Sequence, residues 1–367
     1  MSTKIEDIQV LRAFAIIFVF AQHIRETIPS KVIDYIPGDF ALWVGVELFL
    51  VISGFVITRG MIARGDFRKW TLQGFNLFWK RRFSRLLPAS ILWIVIGLGV
   101  SFVIGLNSND IWGNVKGSLM ALTATYNLFD GYCTIYLAYG SVCPSNSITR
   151  IYWSLSLEEQ FYLLLSLSLL LGHPRKILLA GLSVAISVMA LRWYFPENYH
   201  IAVIHRITDR SYGLFFGVAL ALLHNVYAPI VARIPLPLRA ASILFGSFVI
   251  LYLPNASVVG KPFLAALVST IVVALSIADG AVSKGAVGRS LMWLGERSYS
   301  LYLCHFSFLY LIGFMVTLYT GVAATENVSL LLSIIAIGSS FVVSVIAAHY
   351  SYELIEKRFL IGGQIVR

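Results

Sequence analysis

The sequence predicts an all-α integral membrane protein, a polytopic bundle of about ten transmembrane helices with both termini cytoplasmic. Three observations lead there: an excess of apolar residues, their arrangement in runs that recur along the chain, and basic residues gathered in alternate connections. Of 367 residues, 58% are apolar and 13% charged. A soluble domain carries about 25% charged residues to keep its surface hydrated. Folding in water would leave most of these runs exposed, so their solvent is lipid.

A spanning helix needs roughly 20 mostly apolar residues. Runs of that kind centre near Phe18, Ile52, Ile96, Leu163, Ile186, Val218, Phe248, Val268, Phe308 and Ser339. The sixth and seventh are short and flanked by Pro229, Pro235, Pro237 and Pro254. Arg12 interrupts the first run early and no small-residue cleavage site follows it, so this run is read as a retained signal anchor. With the N-terminus inside, most of the 28 Lys and Arg fall on cytoplasmic segments; Arg59, Arg64, Arg68, Lys69, Lys80, Arg81, Arg82 and Arg85 lie between the second and third spans. That asymmetry orients the chain by the positive-inside rule. It also accounts for a formal charge of +10 without a nucleic-acid groove, so the expected environment is the lipid bilayer and no nucleic-acid partner is expected.

Residues 1–367 read as a single transmembrane domain, with no internal repeat or appended soluble domain. Within it, residues 107–150 form a long exported connection whose Gly, Ser, Asn and aromatic residues suit a packed lid. Cys133 and Cys143 share that connection and can pair in an oxidising compartment, although spacing alone does not bring two sulfurs together. With Cys304 they make three cysteines without metal-ligand spacing, and no metal is expected.

Ionisable side chains inside a span cost roughly 2.5–3.5 kcal/mol on insertion scales and usually face a cavity and a partner. The first span holds Arg12 and His23. Eleven residue steps put them about 20° apart around one helix and about 16 Å apart along it. One stripe thus joins a cation at the inner end to a titratable imidazole near the outer end. Each also has a structural reading: Arg12 as an interfacial anchor, His23 as an imidazole bonded to a backbone carbonyl. Glu47, in the second span, lies at a depth comparable to His23. Glu158 and Glu159 lie about two turns into the fourth span, behind Trp153 and Ser154. Being adjacent, the two glutamates point about 100° apart, so at most one faces His23. A carboxylate beside an imidazole fixes its tautomer for general-base work. A structural interhelix pair is the alternative for each glutamate. At the inner end, Arg82 and Arg85 share one face if helical and suit a phosphate; as composition they are also an ordinary positive-inside flank. The ninth span opens at Glu296 and Tyr299 and reaches His305 near mid-membrane.

In this order, the blocks resemble the acyltransferase 3 family of bacterial membrane O-acyltransferases over nearly the whole chain. They are Arg12 and His23 with ten residues between; Gly45-Val46-Glu47-Leu48-Phe49-Leu50-Val51-Ile52-Ser53-Gly54-Phe55; Arg82-x-x-Arg85; Trp153-Ser154-Leu155 with Glu158-Glu159-Gln160-Phe161-Tyr162; and Ser298-Tyr299-Ser300-Leu301-Tyr302 reaching His305. The last block, from Tyr352 to Phe359, has Arg358 where relatives commonly have proline. The resemblance implies transfer of an acyl group, usually acetyl, from cytoplasmic acetyl-CoA to a hydroxyl of a cell-surface polysaccharide, lipopolysaccharide or lipid-linked sugar, in the bacterial inner membrane. Arg12, Arg82 and Arg85, with Glu296 and Tyr299, then hold the CoA donor. His23, oriented by Glu47 or Glu158, deprotonates the acceptor or carries the acyl group. Trp153, Ser154, Glu159 and His305 line the cavity. Many relatives also carry a C-terminal hydrolase-like domain, and this chain ends at Arg367 without one. The expectation is therefore a membrane part that acts alone or passes its acyl group to a separate exported acyltransferase. Two other readings use the same buried residues: a proton-coupled exporter, and an acyltransferase of this family acting on a cytoplasmic small molecule.

Overall fold

An apolar run in lipid satisfies its own backbone through the i to i−4 hydrogen bonds of an α-helix. The computed structural model describes residues 5–32, 40–63, 70–105, 108–136, 147–172, 174–195, 210–252, 260–321 and 328–358. Every regular element among them is helical. In chain order they are α1 (Glu6–Thr27), α2 (Val44–Ala63), α3 (Leu72–Val103), α4 (Ser108–Leu122), α5 (Tyr126–Tyr136), α6 (Tyr152–Leu170), α7 (Pro174–Tyr194), α8 (Tyr212–Ala232), α9 (Leu236–Leu251), α10 (Lys261–Leu275), α11 (Gly285–Glu296), α12 (Ser298–Thr320) and α13 (Leu330–Ser351). A 3-10 turn, Ser276–Ala278, extends α10, and a π-helical turn, Tyr352–Glu356, extends α13.

Each centre expected from the sequence falls inside a helix, but only seven helical stretches among the described residues are long and apolar enough to cross a membrane. They are α1, α2, α3, α8, Lys261–Ala278, α12 and Leu330–Glu356. The protein is thus a polytopic helical membrane bundle, with seven such candidate spans among the described residues. The other three centres lie in α6, α7 and α9. Helix α9 has 16 residues, about 24 Å of rise, short of a hydrocarbon core about 30 Å thick. In α7 the apolar stretch among the described residues is Leu178–Leu191, and α6 is interrupted by Glu158, Glu159 and Gln160. Pro229 does not end the sixth run, because α8 continues through it to Ala232. The connection at 107–150 is partly helical, holding α4 and α5. Cys133, on α5, is disulfide-bonded, while Cys143 lies outside the described residues; Cys304 is free and buried.

Two compact units divide the chain. The first comprises Met1–Phe18, Asp39–Leu77 and Leu157–Glu296; the second comprises Val19–Gly38, Phe78–Ser156 and Arg297–Arg367. In the first, Leu48, Val51 and Phe55 of α2 pack with Ile8, Leu11, Ile243 and Val272. Helices α2 and α8 touch backbone to backbone. A Cβ at Gly217 would fall 2.2 Å from the Val51 carbonyl oxygen, and one at Gly54 would fall 2.3 Å from that of Leu214. Gly213 meets Glu47 and Leu50, and Gly217 meets Val51 and Phe55, so the contacts advance in the same direction along both helices. Lipid offers no hydrophobic drive between helices, and such close contact of small residues replaces it.

Asp7 is fully buried at the start of α1. Its carboxylate accepts from the backbone N–H groups of Ala281 (2.8 Å), Val282 (3.2 Å) and Ser283 (2.9 Å). Its own N–H donates to Asp279, whose carbonyl accepts from Arg239 at 2.7 Å. In the second unit, Phe20, Ile24 and Ile28 of α1 pack with Leu309 and Val316 of α12 and Ala336 of α13.

A Gly217→Val substitution should lower stability by about 3 kcal/mol through overpacking, read as a lower midpoint of thermal unfolding in detergent. Gly338→Ala, where nothing lies within 4 Å of the added carbon, should cause no loss in the same assay. Replacing Asp7 with Ala strands backbone donors that it now satisfies and should cost about 3 kcal/mol, checked by the same midpoint.

Candidate active site

His23 sits one turn before the end of α1, and His305 two turns into α12. Both belong to the second unit. Their contact rests on a glycine. A Cβ at Gly313 would fall 2.0 Å from the carbonyl oxygen of Thr27, so only glycine lets α12 lie this close to α1. The His23 Nδ1 and His305 Nε2 atoms are 2.7 Å apart, with the rings 5.0 Å between centroids and inclined by 24°. Phe306 stands 4.6 Å from the His23 ring and Phe20 stands 6.0 Å from the His305 ring.

The hydrogen bonds assign the protons. His305 Nδ1 lies 2.8 Å from the Tyr302 carbonyl oxygen and 3.1 Å from that of Leu301. Carbonyls only accept, so Nδ1 carries a proton, and in a neutral ring Nε2 then carries a lone pair. His23 Nδ1 must donate to it. A neutral His23 is left with its lone pair on Nε2, the form a general base requires. His305 is fully buried, which disfavours the doubly protonated ring that would break this chain of donors.

Around the pair, the Tyr302 hydroxyl donates to the Ile151 carbonyl at 2.9 Å and stands 2.7 Å from the buried Ser154 hydroxyl. One turn beyond His23, Glu26 faces Arg150 at 3.5 Å. The segment carrying Arg150 is pinned by neighbours. Asn114 Oδ1 accepts from the Ile148 N–H at 2.9 Å, the Tyr126 hydroxyl meets that of Ser147 at 2.7 Å, and the Tyr126 N–H donates to Ser156 at 3.1 Å.

The remaining expected residues fall in two groups. In the second unit, Arg82 and Arg85 lie on α3, confirming helical spacing. Tyr299 donates to the Leu86 carbonyl at 2.9 Å and meets Ser90 at 2.9 Å, so it packs on that stretch of α3. The Arg85 Nε is buried with no hydrogen-bond partner. Trp153 lies beside Ser154 at the start of α6. In the first unit are Arg12, Glu47, Glu158, Glu159 and Glu296. Glu47 is fully buried, and its Oε1 accepts from Arg210 at 3.0 Å; that guanidinium stacks 4.6 Å from the Trp43 ring. Glu158 accepts from the Tyr162 hydroxyl one turn on.

Sequence reasoning missed the direct His23–His305 bond, the Glu47–Arg210 pair and the Glu26–Arg150 pair. It also missed a polar cluster on α12, where Arg297 donates to His349 (3.0 Å) and to Glu353 (3.1 Å), and Ser300 bonds Ser351 (2.8 Å) and the buried Glu356. Arg210 left a readable signal, an arginine two residues before an apolar run, matched by Glu47 at the start of another.

Comparison with known proteins adds an independent line. A family model described as an acyltransferase domain matches residues 5–349. The peptidoglycan O-acetyltransferase OatA of Listeria monocytogenes serovar 1/2a is 28% identical over 96% of this chain and 55% of its own length. The putative peptidoglycan O-acetyltransferase YrhL of Bacillus subtilis (strain 168) is 28% identical over 95% of this chain and 53% of its own. For the O-acetyltransferase OatA of Staphylococcus aureus (strain NCTC 8325 / PS 47) the figures are 26%, 81% and 49%. The chain therefore spans about half the length of these curated relatives. No solved structure matches it. With the family model covering all but the ends of the sequence, and with the paired histidines and the arginine step on helices in the expected order, the chain belongs to the acyltransferase 3 family.

Proposed function

We propose that this protein moves an acetyl group from acetyl-CoA to a hydroxyl of a cell-surface glycan, with His23 Nε2 as the general base. The observation that carries this reading is the bond between His23 Nδ1 and His305 Nε2 at 2.7 Å. A backbone-anchored His305 accepts the His23 proton on one nitrogen and so keeps the other nitrogen basic. His23 takes the acceptor's hydroxyl proton as the alkoxide oxygen attacks the thioester carbonyl. The carbon–sulfur bond then breaks, and the proton passes to the departing CoA thiolate. His305 does not touch the reacting atoms; it is a positioning residue.

Arg82 and Arg85, three residues apart on α3, with Tyr299 packed on the same stretch, form the phosphate side of the donor site in this reading. From Tyr299 to His305 is six residues of one helix, about 9 Å of rise. On the family resemblance alone, the first unit's Arg12 and Glu296 keep a donor role, Glu47 and Glu158 a catalytic role and Glu159 a cavity role. Trp153 and Ser154 are assigned to the cavity in this reading, which the 2.7 Å contact of Ser154 with the Tyr302 hydroxyl supports for Ser154. The names of two relatives make peptidoglycan the first acceptor to test. The expected location is the bacterial cytoplasmic membrane, with acetyl-CoA supplied from inside.

Mass spectrometry of surface glycans should show acetylation reduced by about 10³-fold in His23→Ala, within the range for loss of a general base, while the protein remains in the membrane. Normal acetylation in a well-folded His23→Ala variant overturns the assignment. At His305, leucine cannot accept from His23 and should lower kcat about 10- to 100-fold. Glutamine, which can donate to the carbonyls and accept from His23, should restore most of it, with KM for acetyl-CoA unchanged in both. Arg85→Ala should instead raise that KM about tenfold through loss of a charge-assisted hydrogen bond, measured by steady-state kinetics on membranes.

A further inference from the structure

Thr58 and Arg59 near the end of α2, and His224 and Tyr227 on α8, form a second cluster within the first unit. The Arg59 guanidinium lies 5.8 Å from the centre of the Phe55 ring. That ring stands 6.4 Å from the His224 ring, which is 6.0 Å from Tyr227. The charge of Arg59 acts on both His224 and Tyr227. Gly54 and Gly217, through which the two backbones touch, hold α2 and α8 together just before this cluster.

Its hydrogen bonding is incomplete in a particular way. Thr58 is fully buried, and its hydroxyl has no hydrogen-bond partner. The Tyr227 hydroxyl and Arg59 Nη1 are buried and unpartnered as well. A serine or threonine in a helix can satisfy itself on the preceding turn, as Ser247 does on Ile243 and Thr270 on Ala266, although Ser269 on α10 does not. Nor does Thr58. Each unmade buried hydrogen bond costs about 1–3 kcal/mol, so unmet donors on two neighbouring helices need a common explanation. The helices that pack here supply no carboxylate among the described residues: α8 and α10 contain none, and the one on α2, Glu47, is paired with Arg210 near the other end.

We infer that Thr58, Arg59 and Tyr227 form a binding site for a phosphate group. A tetrahedral oxyanion presents several acceptor oxygens to donors arriving from two helices, and it neutralises Arg59. Both helices end within a turn or two, and their C-terminal carbonyls repel an anion. Arg59 is therefore the group on which binding depends. Flanking residues Val56, Leu223, Val226 and Ile230 are exposed and apolar, so the phosphate is carried either by a lipid headgroup or by a soluble ligand such as the acyl donor.

Two measurements on the full chain in detergent separate these sources. One is native mass spectrometry after incubation with phosphatidylglycerol; the other is calorimetric titration with coenzyme A, with inorganic phosphate as a second probe. In one of them, Arg59→Gln should weaken binding about tenfold or more, and Tyr227→Phe or Thr58→Val several-fold, as expected for lost hydrogen bonds to a charged group. Loss of the lipid adduct assigns a headgroup, and loss of coenzyme A or phosphate binding assigns a soluble ligand; either supports the site. Tyr227→Phe and Thr58→Val remove one oxygen each with little change of shape. If they leave every binding measurement unchanged in protein that unfolds at or above the wild-type temperature, the hydroxyls are merely unsatisfied and the site is overturned. Neither measurement follows acyl transfer, so its outcome is independent of the role of His23.

Discussion

Inside a membrane a polar group has no water to fall back on, and that scarcity organises this protein. Its hydroxyls mostly turn back onto their own helix, as Ser101 does on Gly97 and Ser340 on Ala336. Several groups that cannot do so find a partner on another element. Glu47 takes Arg210, Trp93 takes Ser351, and His23 takes His305. In water, such pairs would contribute little, because each partner has an alternative. Here losing one partner leaves the other stranded, so each pair fixes how two helices meet.

The catalytic reading follows from the same scarcity. An imidazole in water exchanges tautomers freely, whereas His23 is offered a single acceptor at Nδ1. The acceptor has been fixed in turn by backbone carbonyls of its own helix. No carboxylate is required to set the tautomer. A neutral partner also leaves the pair without net charge, which a low-dielectric site favours over an ionised couple. The trade is in driving force. A neutral histidine partner brings no negative charge to stabilise a proton on His23, so in this reading the reaction relies more on holding the acceptor hydroxyl in place.

Much of the architecture was legible because apolar length and period are local properties. Every expected centre lies in a helix, since each is decided by about 20 neighbouring residues. The marginal cases depend on more than apolar length. Glu158, Glu159 and Gln160 dilute α6, α9 is too short, and a connection rich in Gly and Asn still folds α4 and α5. The site was half legible. One-helix geometry put Arg12 and His23 on one face of α1 and Arg82 with Arg85 on one face of α3. It could not say which helix would stand beside His23, because 282 residues separate that histidine from its partner. Glu47 and Glu158 share its expected depth, but the nitrogen 2.7 Å from His23 belongs to His305.

That blindness has a topological cause. The contacts between α2 and α8 advance in the same direction along both helices, from Glu47 and Leu50 beside Gly213 to Val51 and Phe55 beside Gly217. Those between α1 and α12 do likewise, from His23 beside His305 to Thr27 beside Gly313. Two helices that run the same way cannot be joined by a short turn, because the chain must first return across the membrane. Parallel partners are therefore always distant in sequence, and adjacent spans are always antiparallel. Each unit relies on one such parallel pair, with a glycine at the closest approach and a polar couple beside it. Glycine brings the backbones within reach and the polar couple fixes which faces meet. The candidate site residues of this chain thus lie where local sequence patterns carry the least information.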